Sequence, residues 1–138
     1  MACVFSVLAL LPAGLPGEAN AADDLKSLQG EWSLVAESLN GSTIRPPTAS
    51  YTIKIDGKWL TISTREKVTA RWEITLDPTK EPKWMDEKAD GKSLVEIYRL
   101  QGDRLNIAFR NRENDPARPT DFEPSDGVGI YVLDRKKP

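Results

Sequence analysis

The side chains best suited to chemistry in this chain are carboxylates beside turns. Asp77, Asp86 and Asp121 each lie near a proline-bearing segment. Two carboxyls about 5–10 Å apart can hydrolyse a glycosidic bond. Aspartates next to proline and glycine more often accept hydrogen bonds from nearby backbone and shape the turn itself. No nucleophile, base and orienter form a recognisable set, so the chain reads as a non-enzyme. Its 138 residues contain no histidine, which removes histidine triads, most zinc sites and histidine pH switches. Residues 111–118 carry oxygen ligands but lack the acid spacing of a calcium loop and include two arginines. No metal and no cofactor is therefore expected.

Binding is the other chemistry available. Lys83 has Asp86 close by in sequence, and Arg118 has Asp121. These cations suit an anionic head group at the mouth of a pocket, with Arg118 as the bidentate member. They suit equally the pinning of long loops by ion pairs, which is the preferred reading. Trp72 and Tyr98, with Trp32, Trp59 and Phe109, are the aromatics that would line such a pocket. Lys83, Arg118, Trp72 and Tyr98 are accordingly the candidate ligand-binding residues. A net charge of −2 and the absence of a basic stripe argue against nucleic acid.

The elements that must position these residues are almost all strands. Asp23, Asp24, Leu25 and Leu28 followed by Gly30 predict one short helical turn over residues 22–29. Residues 32–37 form a first strand ended by Asn40-Gly41. Tyr51, Ile53 and Ile55 alternate with polar residues, and Asp56-Gly57 turns the chain into residues 59–63. Ala70, Trp72, Ile74 and Leu76 alternate with Thr69, Arg71, Glu73 and Thr75, the pattern of a half-buried antiparallel strand. Residues 82–86 read as a short strand or extended edge, with Asp90-Gly91 as the next turn. Residues 94–100 are apolar on both faces, and residues 101–103 turn them into Leu105, Ile107 and Phe109. After a long polar loop over 111–127, residues 128–133 make the last strand. Seven or eight short strands without a second helix predict an all-β sandwich or barrel, and closure favours the barrel because it leaves no exposed edge.

The N-terminus reads as an address. Residues 3–15 are nearly all apolar, and Ala19-Asn20-Ala21 precedes Ala22. This is the pattern of a signal peptide cleaved after Ala21. The division expected is signal peptide over 1–21 and one domain over 22–138. The apolar run is short for a membrane span. No Lys or Arg precedes it, as would follow from a start codon displaced downstream. The only cysteine, Cys3, lies in that segment, so the remaining chain has no disulfide and its core alone must hold the fold. The expected product is exported, periplasmic or secreted, and monomeric, with no membrane span after processing.

The helical turn runs into Gly30-Glu31-Trp32, and the last strand ends in Val132-Leu133-Asp134-Arg135. In this the chain resembles lipocalins, in which a G-x-W opens the first strand and an arginine past the last strand packs over that tryptophan. The resemblance implies structural roles for Gly30, Trp32 and Arg135, with indole and helical turn plugging one barrel end and a guanidinium on the ring face. Further segments are Leu28-Gln29, Asn40-Gly41, Leu76-Asp77-Pro78, Glu81-Pro82-Lys83-Trp84-Met85-Asp86, Ile97 through Leu105, and Arg118-Pro119-Thr120-Asp121-Phe122. Together these resemble an uncharacterised family of short exported, lipocalin-like (calycin-like) proteins of planctomycete bacteria. Trp84 and Met85 depart from it, standing where smaller or aliphatic residues are common. The resemblance implies one antiparallel up-and-down β-barrel of about eight strands and carries no activity.

The expected function is a non-enzymatic binding module for a small apolar or amphipathic ligand, its head group read at the rim by Lys83 or Arg118. The alternative is a structural or protein-interaction module with a solid-packed barrel. An internal cavity above roughly 300 Å³ favours the ligand. An exposed apolar patch of several hundred Å² favours a partner protein. Clustered buried acids with raised pKa values favour an enzyme.

Overall fold

A computed structural model describes residues 20–65 and 67–137. In chain order its elements are α1 (Ala21–Leu28), β1 (Gly30–Leu39), β2 (Tyr51–Asp56), β3 (Trp59–Thr64), β4 (Lys67–Asp77), β5 (Lys83–Ala89), β6 (Lys92–Gln101), β7 (Arg104–Arg110) and β8 (Val128–Arg135). Each strand pairs antiparallel with the next, and β8 returns to pair with β1. The fold is a closed, eight-stranded, up-and-down β-barrel with one short helix. Of residues 82–86, read from sequence as a short or edge strand, 83–86 belong to a full strand with neighbours on both sides. Most of the expected signal segment lies outside the described residues. The expected cut after Ala21 falls at the start of α1, beside Asn20, whose side chain caps the helix by accepting the Ala22 N–H at 2.8 Å.

Alternation drives closure. Ile53 and Ile55 on β2, and Trp72, Ile74 and Leu76 on β4, face inward and are buried. Their polar neighbours face out. The β5–β6 hairpin needs left-handed backbone at both turn residues, and Asp90 (φ 45°) and Gly91 (φ 77°) supply it. β6 is apolar on both faces because both are covered. Tyr98 and Leu100 point into the barrel, while Ile97 points outward and packs with Ala108, Val128 and Ile130. Phe122, from the long 111–127 segment, covers that outer cluster.

Helix α1 closes the end of the barrel where β1 begins. The Trp32 indole is fully buried, and its Nε1–H donates to the Leu28 carbonyl at 3.0 Å. Arg135 lies across the indole, with its guanidinium carbon 4.3 Å from the ring centroid. Its Nη1 donates to the Gln29 carbonyl at 2.7 Å and its Nη2 to the Ser27 carbonyl at 2.8 Å. These carbonyls are among those that a helix C-terminus leaves unpaired. Asp103, in the β6–β7 turn, accepts from Arg135 Nε at 3.1 Å. Gly30 carries φ 122°, a backbone conformation that L side chains rarely adopt, which is why glycine stands between helix and strand.

Trp32→Ala is expected to cost about 3–5 kcal/mol in denaturant unfolding, the range for removing a buried aromatic. Arg135→Ala is expected to cost about 2 kcal/mol, because charged hydrogen bonds are lost along with the ring contact. Midpoints unchanged for both variants would remove the plug as the source of stability.

Candidate functional site

The barrel interior is packed at the helix end and hollow towards the other. A cavity of about 220 Å³ lies among Ile62, Trp72, Ile107, Phe109 and Tyr131, with Glu87 and Glu96 in its wall. A second hollow of about 200 Å³ shares Ile53, Ile62 and Tyr131 with the first and extends to Tyr51 and Leu34. Phe109 and Tyr131 meet edge to face, with centroids 4.7 Å apart. Gly129 faces the Phe109 ring across the β7–β8 pair, and a Cβ there would collide with it. Glycine at this position therefore sets where the aromatic wall stands. Two larger hollows, about 600 and 580 Å³, are grooves bordered by outward residues such as Trp59 and Arg71, or Arg99 and Phe122.

The four ligand-binding candidates from sequence do not converge. Trp72 lines the inner cavity. Lys83 and Tyr98 sit at the closed end and both hold Asp24 of α1, Lys83 Nζ at 2.9 Å and the Tyr98 hydroxyl donating at 2.7 Å. They also border the 580 Å³ outer groove. Burial, then the hydrogen bond to Asp24, pushes the Tyr98 phenol well above its ordinary value. Lys83 thus pairs with Asp24 and not with Asp86, because β5 begins at the helix end of the barrel.

Arg118 is also placed differently from the rim position expected. The 111–127 segment folds back along the outer wall, where Trp84 and Asp86 face outward from β5. Arg118 lies 4.1 Å from the Trp84 ring centroid, and its Nη1 is 2.8 Å from Asp86 Oδ1. That carboxylate oxygen lies off the N–H direction, so the contact is an ion pair without an aligned hydrogen bond. The same Nη1 donates to the Glu96 carbonyl at 2.8 Å. Arg118 therefore pins a loop, and its acid is Asp86 rather than Asp121. Asp77 and Asp121 accept backbone N–H bonds from Thr79 and Glu123, and Asp115 does so from Ala117. These are turns, two of them in the segments weighed for catalysis and one in the segment weighed for calcium. Among the described residues no group of three His, Cys, Asp or Glu side chains clusters as a metal site would.

Sequence reading passed over the residues with the most unusual surroundings. The only charged residues that are fully buried among those described are Glu37, Glu87 and Glu96, each at most 5% exposed. No buried lysine or arginine accompanies them. Glu37 faces Tyr131 across the β1–β8 pair and accepts the Thr48 N–H at 3.1 Å. Glu87 and Glu96 are diagonal neighbours, because Met85 pairs with Glu96 and Glu87 with Leu94. Both line the same cavity, and each bears on the charge of the other. Glu96 Oε1 is buried without a partner. Burial raises Glu87 to about 7, against the opposing hydrogen bond with Glu96. Burial first, then the neighbouring Glu87 charge, raises Glu96 well above the ordinary carboxylate range. One signal was present in the sequence: Glu96 lies within a run that is apolar on both faces, so either orientation buries it.

No helix of the described residues is long and apolar enough to cross a membrane. No protein-family model, curated protein or solved structure matches the chain.

The acid pair gives a signed pH dependence. A carboxyl with a higher pKa in the folded chain binds more protons there, so it favours folding at low pH. For Glu87 this contribution is complete below its ordinary value of 4.5 and is lost as pH rises through about 7. Glu96 extends the loss to higher pH. The denaturation midpoint should therefore fall between about pH 5 and about pH 8, and Glu87→Gln/Glu96→Gln should flatten that fall. Identical slopes for the two proteins would mean that the pair does not sit in a dry wall.

Proposed function

We propose that this barrel is an exported, non-enzymatic binding module that holds one small amphipathic molecule in its inner cavity. The observation that carries the reading is the apolar cavity of about 220 Å³ beside Trp72, Phe109 and Tyr131. A cavity of about 150 Å³ lined by aliphatic and aromatic side chains accepts benzene. The space here thus suits a single ring or short chain with a small head group, and the adjoining 200 Å³ hollow gives such a ligand room to extend. Each hollow alone falls short of the roughly 300 Å³ that favours a ligand, so the reading rests on the two adjoining at Ile53, Ile62 and Tyr131 and on a small occupant. Export rests on the apolar leader and the resemblance to short exported proteins.

Clustered acids with raised pKa values are also what a general acid–base pair looks like. Binding is the better reading on geometry. Glycosidase carboxyls stand about 5 Å or more apart, leaving room for a sugar between them. Glu87 and Glu96 instead stand as diagonal neighbours in one wall of a space too small for a polymer.

The test is native mass spectrometry of protein purified from its own host, joined to titration with 2-phenylethanol read by tryptophan fluorescence. A co-purified small molecule or saturable quenching is the expected result. Ala70 lines the cavity. Ala70→Leu should abolish probe binding and raise stability by about 0.5–2 kcal/mol through cavity filling. No bound molecule and no saturable quenching would overturn the reading.

A further inference from the structure

The inner cavity is apolar except for its acids, and its acids have no cation. Glu96 is 3% exposed and lines the cavity, with Oε1 left without a hydrogen-bond partner. A carboxylate oxygen unpaired inside a protein is costly, and the site gains most from a group that donates to it. Around the pair stand Trp72 from β4, Phe109 from β7 and Tyr131 from β8, whose ring faces favour positive charge. We propose that the Glu87–Glu96 pair is the recognition site for the protonated amine of a small aryl- or alkylamine, whose apolar body fills the cavity. This rests on the binding reading above and adds the chemical class of ligand.

The alternatives fit less well. An anionic head group would meet the two glutamates of the cavity wall and no lysine or arginine lining it. A neutral alcohol supplies one donor, whereas an ammonium supplies three and cancels the charge of the ionised pair. Arg118 does not fill this role. It lies outside the wall, paired with Asp86, and reaches only the backbone carbonyl of Glu96. The groups that bear on the pair's charge are each other, Asp86 and Arg118 through the wall, and Tyr131, which in turn feels Glu37 and Tyr51. Of these, Arg118 alone is cationic. Tyr131 is raised to about 12, by burial first and then by Glu37, so it remains a neutral phenol beside the ligand.

Binding then depends on pH in one direction. With both carboxyls protonated the pair is neutral and the ammonium gains little. With one ionised, the cation meets a fixed opposite charge in a dry site. Glu87 loses its proton near 7, so amine affinity rises through that range.

The experiment titrates wild-type protein with 2-phenylethylammonium, 2-phenylethanol and 3-phenylpropionate by calorimetry at about pH 5.5 and about pH 8. The amine is expected to bind at least about tenfold more tightly than the alcohol at the higher pH, the equivalent of one charged hydrogen bond. It should lose most of that advantage at the lower pH, while the alcohol stays constant. Glu87→Gln/Glu96→Gln should remove both the preference for the amine and its pH dependence, with the alcohol titrated on the same variant as the reference. Equal binding of amine and alcohol, or tighter binding of the carboxylate, overturns the amine assignment and leaves the cavity reading standing. Failure of all three probes overturns both. The wild-type pH series decides the matter by itself if the variant does not fold.

Discussion

The barrel closes where β8 pairs with β1, and the Arg135 guanidinium sits on that seam. It lies over the Trp32 ring, donates to the Ser27 and Gln29 carbonyls and pairs with Asp103. One planar group thereby joins the end of β8, the start of β1, the helix and the β6–β7 turn. A lysine could supply the charge but not this fork of donors. The need for Gly30 follows from the same junction, because the chain must leave α1 and enter β1 within one residue. Lys83 and Tyr98 reinforce it from the opposite wall through Asp24.

The two ends of the cylinder have different chemistry because different elements close them. At the helix end, Leu28, Trp32, Ile55 and Leu133 fill the space and polar atoms are satisfied. Towards the other end, turns and the long loop stand around the strands, and among the described residues no helix plugs them. The interior there is filled incompletely and holds the glutamates. A buried acid pair in a wall of isoleucine and aromatic side chains disfavours the charged fold, and proteins tend to keep such features at functional sites.

Much of the architecture was legible in the residues. The alternation from Thr69 to Leu76, the turn pairs Asp56-Gly57 and Asp90-Gly91, and the helix stop at Gly30 all rest on local rules of backbone and pleat. Trp32 and Arg135 meet as their likeness to lipocalin positions implied. The site was far less legible. Lys83 and Arg118 were placed by sequence neighbours, yet their partners are Asp24 and Asp86, 59 and 32 positions away (83 − 24 and 118 − 86). Which way residues 111–127 fold is decided by Phe122 finding the outward Ile97 and Val128, a contact that no local pattern encodes. Glu87 escaped notice because Lys88 and Asp86 flank it, and a charged stretch reads as surface until strand parity is known.

The 111–127 segment gives the barrel a second, external core, with Arg99 over Phe122 and Arg118 over Trp84 as its outer layer. The wall that carries Glu87 and Glu96 is thus clamped from behind, while the Arg135 junction lies at the opposite end and shares no partner with the cavity. Substitutions that far apart act additively on stability. A lineage can therefore exchange Ala70, Phe109 or Tyr131 and change what the hollow admits without loosening the lock on the fold. That independence lets the interior vary in size and lining while the seam stays locked.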